Sequence, residues 1–455
     1  MLGRPHVVAV GPRTFFAGRP QRALLALAMA LCATAWPAAA SSGARSVSAH
    51  PSATAPLGGV NIAPVSRSSS LANIDREIAD AHALHVKVVR TEVSWAALEP
   101  QGPNQIEPRA LASVDRLMDD ASADGIGVIA MVESTPCWAS SAPASLLNGC
   151  TGRDNRGGAW PPANPANYAA FMAFVAQRYG TRLAAIEVWN EPDQANQDYF
   201  AGPEKPQRYA AILRAAYPAI KQVNPQVPVL AGSLVGANGV FLRALYAAGI
   251  KGYYDGLSVH FYNLALASLR DIRETQLANG DTKPLWLNEF GWTSCWPRQV
   301  TQQEQACVTE AAQAANVANV YRALAHTPYI AAAVLYGLQD SATENFGVLN
   351  AAGQRKPSFA ALAGVLASPF ANPSPVILRL RRRSGHVVAS GSGPAGDYME
   401  LEALRGRVLR YRALFILDRF NNYSITLPRV LGTKGLQVRV YQYWAGRGRA
   451  ARKSI

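Results

Sequence analysis

Between residues 58 and 370 the chain alternates two hydrophobic patterns. Short, almost wholly apolar runs stand at 59–64, 86–90, 126–132, 186–191, 227–232, 256–262, 285–289 and 330–338. Runs of this kind fit strands buried on both faces, as in a parallel sheet covered by helices. The longer stretches between them repeat their apolar residues every three or four positions, the period of a helix with one buried face. Leu71, Ile74, Ile78 and Ala81 mark a helix over 71–84, and Leu111, Val114, Leu117 and Met118 mark the next. Further helices are predicted at 209–223, 241–248, 266–278 and 358–366. Two helix starts are written in the sequence. Asn164-Pro165 joins a cap residue to a proline at the first helical position, and Thr301-Gln302-Gln303-Glu304 has the form of a capping box.

Eight apolar strands, each followed by a helix-length segment, predict an α/β fold of the closed parallel kind, a (β/α)8 TIM barrel over 58–370. An open doubly wound sheet is the alternative. No Gly-x-Gly-x-x-Gly follows the first strand, which does not suit nucleotide binding. After the barrel the pattern changes to short strand-like runs at 376–378, 387–389, 411–417, 424–427 and 438–441, separated by Gly, Asn and Pro. These predict a small β-sandwich-like C-terminal domain over 371–445, with 446–455 as a basic tail.

Composition adds a large core and an address. Hydrophobic residues make up 49% of the chain and charged ones 16%. Residues 1–40 combine Arg4, Arg13, Arg19 and Arg22, an apolar stretch and the small-residue site Ala38-Ala39-Ala40, the form of a signal peptide. A Ser-, Ala- and Pro-rich linker at 41–57 follows. The expectation is an exported protein, periplasmic or secreted, with no membrane span left after signal removal. Cys137, Cys150, Cys295 and Cys307 then remain, an even number that suggests disulfides in an exported chain. Three pairings are open; the local one, 137 with 150 and 295 with 307, would staple two loops. No Cys-x-x-Cys or histidine cluster accompanies these cysteines, so no metal and no cofactor is expected.

The net charge of +14 is unevenly placed. Residues from 375 onward carry +12 and the first forty +4, which leaves the section between them at about −2. The basicity of the C-terminal domain, including Arg381-Arg382-Arg383, lacks the aromatic interleaving of a nucleic-acid surface, and no nucleic-acid partner is expected. A solvated basic face, or contact with an acidic glycan or the anionic cell envelope, remains.

The candidate chemistry ends two of the strands. Glu187-Val188-Trp189-Asn190-Glu191-Pro192 stops at a proline that cannot join a sheet ladder and biases Glu191 towards an extended backbone. Leu285-Trp286-Leu287-Asn288-Glu289-Phe290-Gly291-Trp292 ends in the same way on Glu289. Two carboxylates at strand lips, one as acid and one as base or nucleophile, are what cleavage of a glycosidic bond requires. His260 and Tyr262 share a face of the sixth strand, since residues i and i+2 point the same way. Arg90 ends the second strand and is either a neighbour of the reacting carboxylates or a salt-bridge partner inside the barrel. Glu187 reads as a buried structural carboxylate. Trp138, Trp160, Trp292 and Trp296 stand in loops after strands, where they either stack on sugars or plug the core.

These stretches, with Thr135-Pro136-Cys137-Trp138-Ala139, Ser258-Val259-His260-Phe261-Tyr262 and Asn345-Phe346-Gly347-Val348, resemble clan A of the glycoside hydrolases over residues 58 to 370. The pattern is most similar to family 39 and related bacterial exopolysaccharide hydrolases. The resemblance implies a retaining double displacement, with Glu191 as acid/base and Glu289 as nucleophile. Asn190 would bond the sugar 2-hydroxyl, His260 would line the sugar site and Tyr262 would hold Glu289 ionised. In place of the tryptophan floor on many eighth strands of the clan, this chain offers Tyr336 with Asp340. The substrate implied is a polysaccharide or oligosaccharide. An exo-acting β-xylosidase and a glycan-binding barrel without turnover are the alternatives.

Overall fold

The computed structural model describes residues 56–66, 68–151, 154–235, 239–262, 268–297, 301–302, 305–324, 329–367, 376–393, 398–417, 422–442 and 450–455. The expected signal peptide and all but the end of the linker lie outside them. Eight strands close into a parallel barrel: β1 (Leu57–Asn61), β2 (Val88–Ser94), β3 (Gly127–Glu133), β4 (Leu183–Val188), β5 (Val229–Leu234), β6 (Gly256–Phe261), β7 (Leu285–Phe290) and β8 (Ile330–Leu335). Closure is completed by β1, which pairs with both β2 and β8. Helices α1 (Leu71–Ala83), α2 (Pro108–Ala123), α3 (Pro165–Tyr179), α4 (Lys205–Val223), α5 (Val240–Ala247), α6 (Ser268–Ala278), α7 (Glu310–Leu324) and α8 (Pro357–Ala367) follow the strands in turn.

Local sequence explains several of these boundaries. Asn164 caps α3, its side chain accepting from the Ala166 amide at 3.0 Å, and Pro165 takes the first helical position. Glu107 caps α2 through the Ala110 amide at 2.8 Å, again ahead of a proline. Inside the barrel Val88, Ile129, Ala185, Leu230, Trp286, Ala332 and Val334 form a separate apolar layer. Gly256 makes room for it, because a Cβ there would stand 2.5 Å from the Trp286 indole nitrogen. This plug closes the barrel interior, so any site must be built at a mouth.

Two expectations are corrected. The run at 186–191 stops being a strand at Val188, and Trp189 and Glu191 adopt positive φ, 68° and 43°. Pro192 disfavours the right-handed helical region for Glu191, but here the alternative taken is left-handed and not extended. The capping-box stretch at 301 begins no helix. Thr301–Gln302 pairs with Gln305–Ala306 as a short hairpin, and α7 starts only at Glu310. A disulfide joins Cys295 to Cys307, and α7 begins just beyond it. The other disulfide joins Cys137 to Cys150, with Cα separations of 5.9 Å here and 4.8 Å at Cys295–Cys307. The local pairing is therefore the one formed.

The C-terminal section is a sandwich of two antiparallel sheets. Strands β9 (Ile377–Arg383), β10 (His386–Ser392), β11 (Tyr398–Arg405), β12 (Val408–Ile416), β13 (Asn422–Thr426), β14 (Leu436–Gln442) and β15 (Ala451–Ser454) supply it. One sheet runs β9-β10-β13 and the other β12-β11-β14-β15. Their inner residues, among them Leu378, Ala389 and Ile425 from one and Leu401, Phe415 and Val438 from the other, form one core. Strand β11 escapes the hydrophobic pattern because Glu400 and Glu402 interrupt it, and both are buried. Arg412 and Arg439 neutralise them. Ala451–Ser454, within the stretch expected as a tail, pairs with β14.

Candidate active site

At the C-terminal mouth of the barrel the strand ends surround a cavity of about 860 Å³. Arg90, three residues into β2, is its electrostatic centre and is almost wholly buried. Its Nε lies 2.6 Å from Glu187 Oε2, and its Nη1 lies 2.6 Å from Glu289 Oε1 and 3.0 Å from Asn61 Oδ1. Its Nη2 reaches Asn190 Oδ1 at 3.0 Å. One guanidinium thus joins β1, β2, β4 and β7 with the β4–α4 loop. Burial alone would lower its pKa; Glu187 and Glu289 hold it above its ordinary value. Arg90 is thus a salt-bridge partner of Glu187 inside the barrel and at the same time a neighbour of Glu289.

Glu187 is fully buried, accepting also from the Ser233 hydroxyl. Burial pushes its pKa up, but Arg90 and then His260 more than offset this, and the carboxyl ends below its usual range. Glu289 accepts on both oxygens, from Arg90 and from the Tyr262 hydroxyl at 2.5 Å. Burial, and next the charge of Glu289, lift the Tyr262 phenol well above its ordinary pKa, so it stays a donor. His260 stands between the two strand-end glutamates, its Nδ1 2.7 Å from Glu191 Oε1 and 3.4 Å from Glu289 Oε2. Burial opposes its protonation, while Glu289 and Glu191 raise its pKa above the ordinary value.

Asn190 presents Oδ1 to a group that has only N–H, which leaves its amide nitrogen free to serve as a donor elsewhere. Trp189, in its left-handed backbone, is held by burial, by Phe200 at 5.4 Å edge-on and by its own indole N–H donating to Tyr199 O at 2.8 Å. Such conformations cost non-glycine residues about 1–3 kcal/mol and persist where the surroundings over-determine them.

Tyr336 lines the cavity and donates to Glu344 at 3.0 Å. With Tyr262 and Phe346 it makes a three-ring wall, centroids 5.4 to 5.8 Å apart. Asp340 is salt-bridged to Lys356 at 3.0 Å. Trp138 and Trp292, left open between stacking on sugars and plugging the core, do not line the cavity. The Trp138 indole donates to Glu99 O at 2.8 Å and packs on Trp95, and Trp292 is buried against Phe290. Sequence reasoning passed over Asn61, Glu92, Glu133, Gln194, Tyr199 and Glu344, which line the cavity. Asn61 and Glu133 could have been found, because each ends an apolar run as Glu191 and Glu289 do. The pKa of Glu133 lies well above its usual range because of burial and then the neighbouring Glu92.

Glu191, His260 and Glu289 offer ligand-type atoms within 4.8 Å of one another. Their charge is already met, since Arg90 and Tyr262 serve Glu289 while His260 and Gln194 serve Glu191. A cation would have to displace these donors. The arrangement suits two carboxylates acting on opposite sides of one substrate bond.

Residues 164–354 match the family model described as glycosyl hydrolase catalytic core. No curated protein matches the chain. Among solved structures the fold is similar to a family 39 glycoside hydrolase from the gut symbiont Bacteroides cellulosilyticus WH2, at TM-score 0.52 and 16% identity over 85% of this chain and 81% of that one. It is also similar to Fpglu1 from Fervidobacterium pennivoraus, at TM-score 0.51 and 12% identity over 69% of this chain and 95% of that one. From the cap of α3 to the loop after β8, the barrel that carries the carboxylate pair is thus similar in sequence to a glycosyl hydrolase catalytic core, and its fold is similar to that of a family 39 glycoside hydrolase.

Proposed function

We propose that the protein is an exported, retaining β-glycoside hydrolase that cleaves O-glycosidic bonds in a bacterial exopolysaccharide or related glycan. The observation that carries this reading is the spacing of Glu191 and Glu289, whose oxygens approach within 4.8 Å. Retaining enzymes hold their carboxyl groups about 5–5.5 Å apart, inverting ones about 6.5–9.5 Å apart to admit a water. Glu289 attacks the anomeric carbon while Glu191 gives its proton to the departing oxygen. The sugar is then bound covalently to Glu289, and water, losing its proton to Glu191, releases it with net retention. In this reading the amide N–H of Asn190, whose Oδ1 accepts from Arg90, bonds the sugar 2-hydroxyl, a contact that strengthens as positive charge develops on the ring. Two disulfides, and the lack among the described residues of a helix long and apolar enough to cross a membrane, are compatible with export. Hydrolysis of aryl β-glycosides and of purified exopolysaccharides, with product sizing, tests the reading. Short products from one chain end would point to the exo β-xylosidase alternative, and binding without any hydrolysis would sink the enzyme reading.

The cavity's charge narrows the substrate. Besides the catalytic pair, Glu77 and Glu344 line it together with Glu92 and Glu133, whose burial favours their neutral forms; Asp340 is neutralised by Lys356, and the one guanidinium of the lining, Arg90, is already paired with two glutamates. A neutral or amino sugar suits such walls; a uronic acid is repelled. Neutral aryl glycosides should exceed the matching uronides in kcat/KM by at least about tenfold. Burial pushes the Glu77 pKa up to about 6, so the preference should grow as pH rises past that value. A preference for the uronide would refute the argument.

The basic C-terminal domain is proposed to contact an acidic glycan or the anionic envelope. Arg379, Arg381, Arg382 and Arg383 are exposed on β9, and their partners across the sheet are Ser390, Val388, Val387 and His386, with no acid among them. Replacing Arg379, Arg381 and Arg383 by Gln in the full chain should weaken binding to an acidic polysaccharide and flatten its salt dependence, leaving small-substrate turnover unchanged. Equal binding by parent and variant at low salt would dismiss this contact.

A further inference from the structure

Glu191 accepts a hydrogen bond on each of its oxygens. His260 Nδ1 lies 2.7 Å from Oε1, and Gln194 Nε2 lies 2.5 Å from Oε2. The other ring nitrogen of His260 faces Arg90 Nη2 at 3.5 Å, a group with only N–H, so the histidine proton belongs on Nδ1 and points at Glu191. With a donor on each oxygen, Glu191 is held as a carboxylate. That is the form required to deprotonate water in the second half of a double displacement, and the wrong form for the first half.

For Glu191 to act as an acid, one donor must give way to a proton and then to the departing oxygen. His260 is buried at the end of β6, and its ring is fixed between Glu191, Glu289 and Arg90. Gln194 is half-buried, lies in the loop between β4 and α4, and reaches into the cavity on a side chain with three rotatable bonds. Its backbone is anchored. Its N–H donates to Glu191 O at 3.2 Å, and Lys205 Nζ donates to its carbonyl at 2.6 Å and to that of Asn196 at 2.7 Å. The loop is pinned again where Asp193 Oδ1 accepts from the Val235 amide at 3.1 Å.

We propose that Gln194 is a positioning residue for the acid/base. In the resting enzyme its amide occupies the place at Glu191 Oε2 that the leaving-group oxygen takes during bond cleavage, and by coming and going it sets the balance between the acid and base forms of Glu191. This inference rests on the retaining reading given above. In the first half-reaction the amide is displaced, the proton on Oε2 passes to the departing oxygen as its bond to the anomeric carbon breaks, and that carbon bonds to Glu289. In the second, the attacking water takes that same place and gives its proton to Oε2 as its oxygen bonds to the anomeric carbon and the bond to Glu289 breaks; the amide returns once that proton is lost to solvent, and a solvent proton replaces it at the next turnover.

Other groups also bear on Glu191. Burial raises its pKa, and His260, Gln194 and Arg90 together hold it below the ordinary value. Glu133 and Glu289, and the phenols of Tyr199 and Tyr262, also face it. All of these stay in place in a Gln194 variant, so a change there reports on the amide alone.

The test is Gln194→Leu, which keeps much of the bulk and loses the donor, beside Gln194→Asn, whose amide is one methylene short. For an alkyl β-glycoside, which needs acid assistance, the alkaline limb of kcat/KM should move up by about one pH unit in Gln194→Leu. For a nitrophenyl glycoside, whose turnover waits on the base, the acid limb of kcat should move up by the same amount. The Glu191 carboxyl is also titrated directly by 13C NMR of Glu-labelled protein, assigned with Glu191→Gln, and its midpoint should rise in step. A uniform loss at every pH with unmoved limbs, or an unmoved NMR midpoint in both variants, overturns the proposal. A raised midpoint in a chain that hydrolyses no glycoside would uphold the contact with Glu191 while refuting the hydrolase reading.

Discussion

Glu289→Ala will lose activity by several orders of magnitude towards every glycoside, whatever its leaving group, because no glycosyl–enzyme bond can form without that carboxylate. Glu191→Ala will behave differently. Its loss will be severe for alkyl and sugar leaving groups, which depart only with a proton, and much smaller in the first step for a nitrophenolate. In the second step the intermediate on Glu289 then waits for a base. Azide needs none, and it should restore turnover to Glu191→Ala as a β-glycosyl azide of retained configuration. On Glu289→Ala the same anion should displace the leaving group once and give the α-azide. Identical azide products from the two variants would show that the roles are exchanged or shared. Wild-type activity in either variant would remove that residue from the mechanism. Glu289→Ala should still fold, since Arg90 keeps Glu187, Asn61 and Asn190 as partners.

The second large effect concerns Arg90. Its removal in Arg90→Met leaves Glu187, fully buried, with the Ser233 hydroxyl as hydrogen-bond donor and the more distant charge of His260. Stripping one partner from a buried pair costs about 3–5 kcal/mol, most of it the penalty of an uncompensated charge. Chemical denaturation should show that loss. Adding Glu187→Gln removes the orphaned charge and should recover much of the stability. Activity should not return with it, because Glu289 and Asn190 have still lost the donor that orients them. Recovery of both together would mean that Arg90 is merely structural. The pair also makes stability depend on pH. Since the Glu187 pKa is depressed in the folded protein, its contribution is complete above the unfolded glutamate's pKa of about 4.3 and is lost as pH falls through the lower folded value. Arg90→Met/Glu187→Gln should lack this acid-side component.

Much of the barrel could be read from the chain because its signals are local. A continuous apolar run of six residues, a helical period and an Asn-Pro helix start each act over a few neighbours, and β1 to β8 lie close to where those runs stand. The Cys137–Cys150 and Cys295–Cys307 disulfides span only 13 and 12 residues, so loop stapling also belongs to the local level. The two glutamates at strand lips were legible for the same reason, since a parallel barrel gathers its strand ends at one mouth. The β-domain was read less fully, for Glu400 and Glu402 look like solvent-facing charges until Arg412 and Arg439 arrive from other strands.

What the chain alone left open was decided by contacts between distant residues. Arg90 meets Glu187 and Glu289 across 97 and 199 positions, and only the closed register of the barrel selects those partners over solvent. Loop tryptophans were undecided between sugar and core. Trp138 and Trp292 went to the core, where their apolar faces are removed from water and neighbouring rings are in reach, while Tyr262, Tyr336 and Phe346 took the cavity wall. Sequence set the residue types and the elements that carry them: two carboxylates, an amide, a histidine and a tyrosine at the strand ends. Tertiary structure decided how those groups share protons, because burial and the meeting of charges from separate strands, neither of which exists in the unfolded chain, determine which carboxyl accepts, which ring donates and which side chain is free to move.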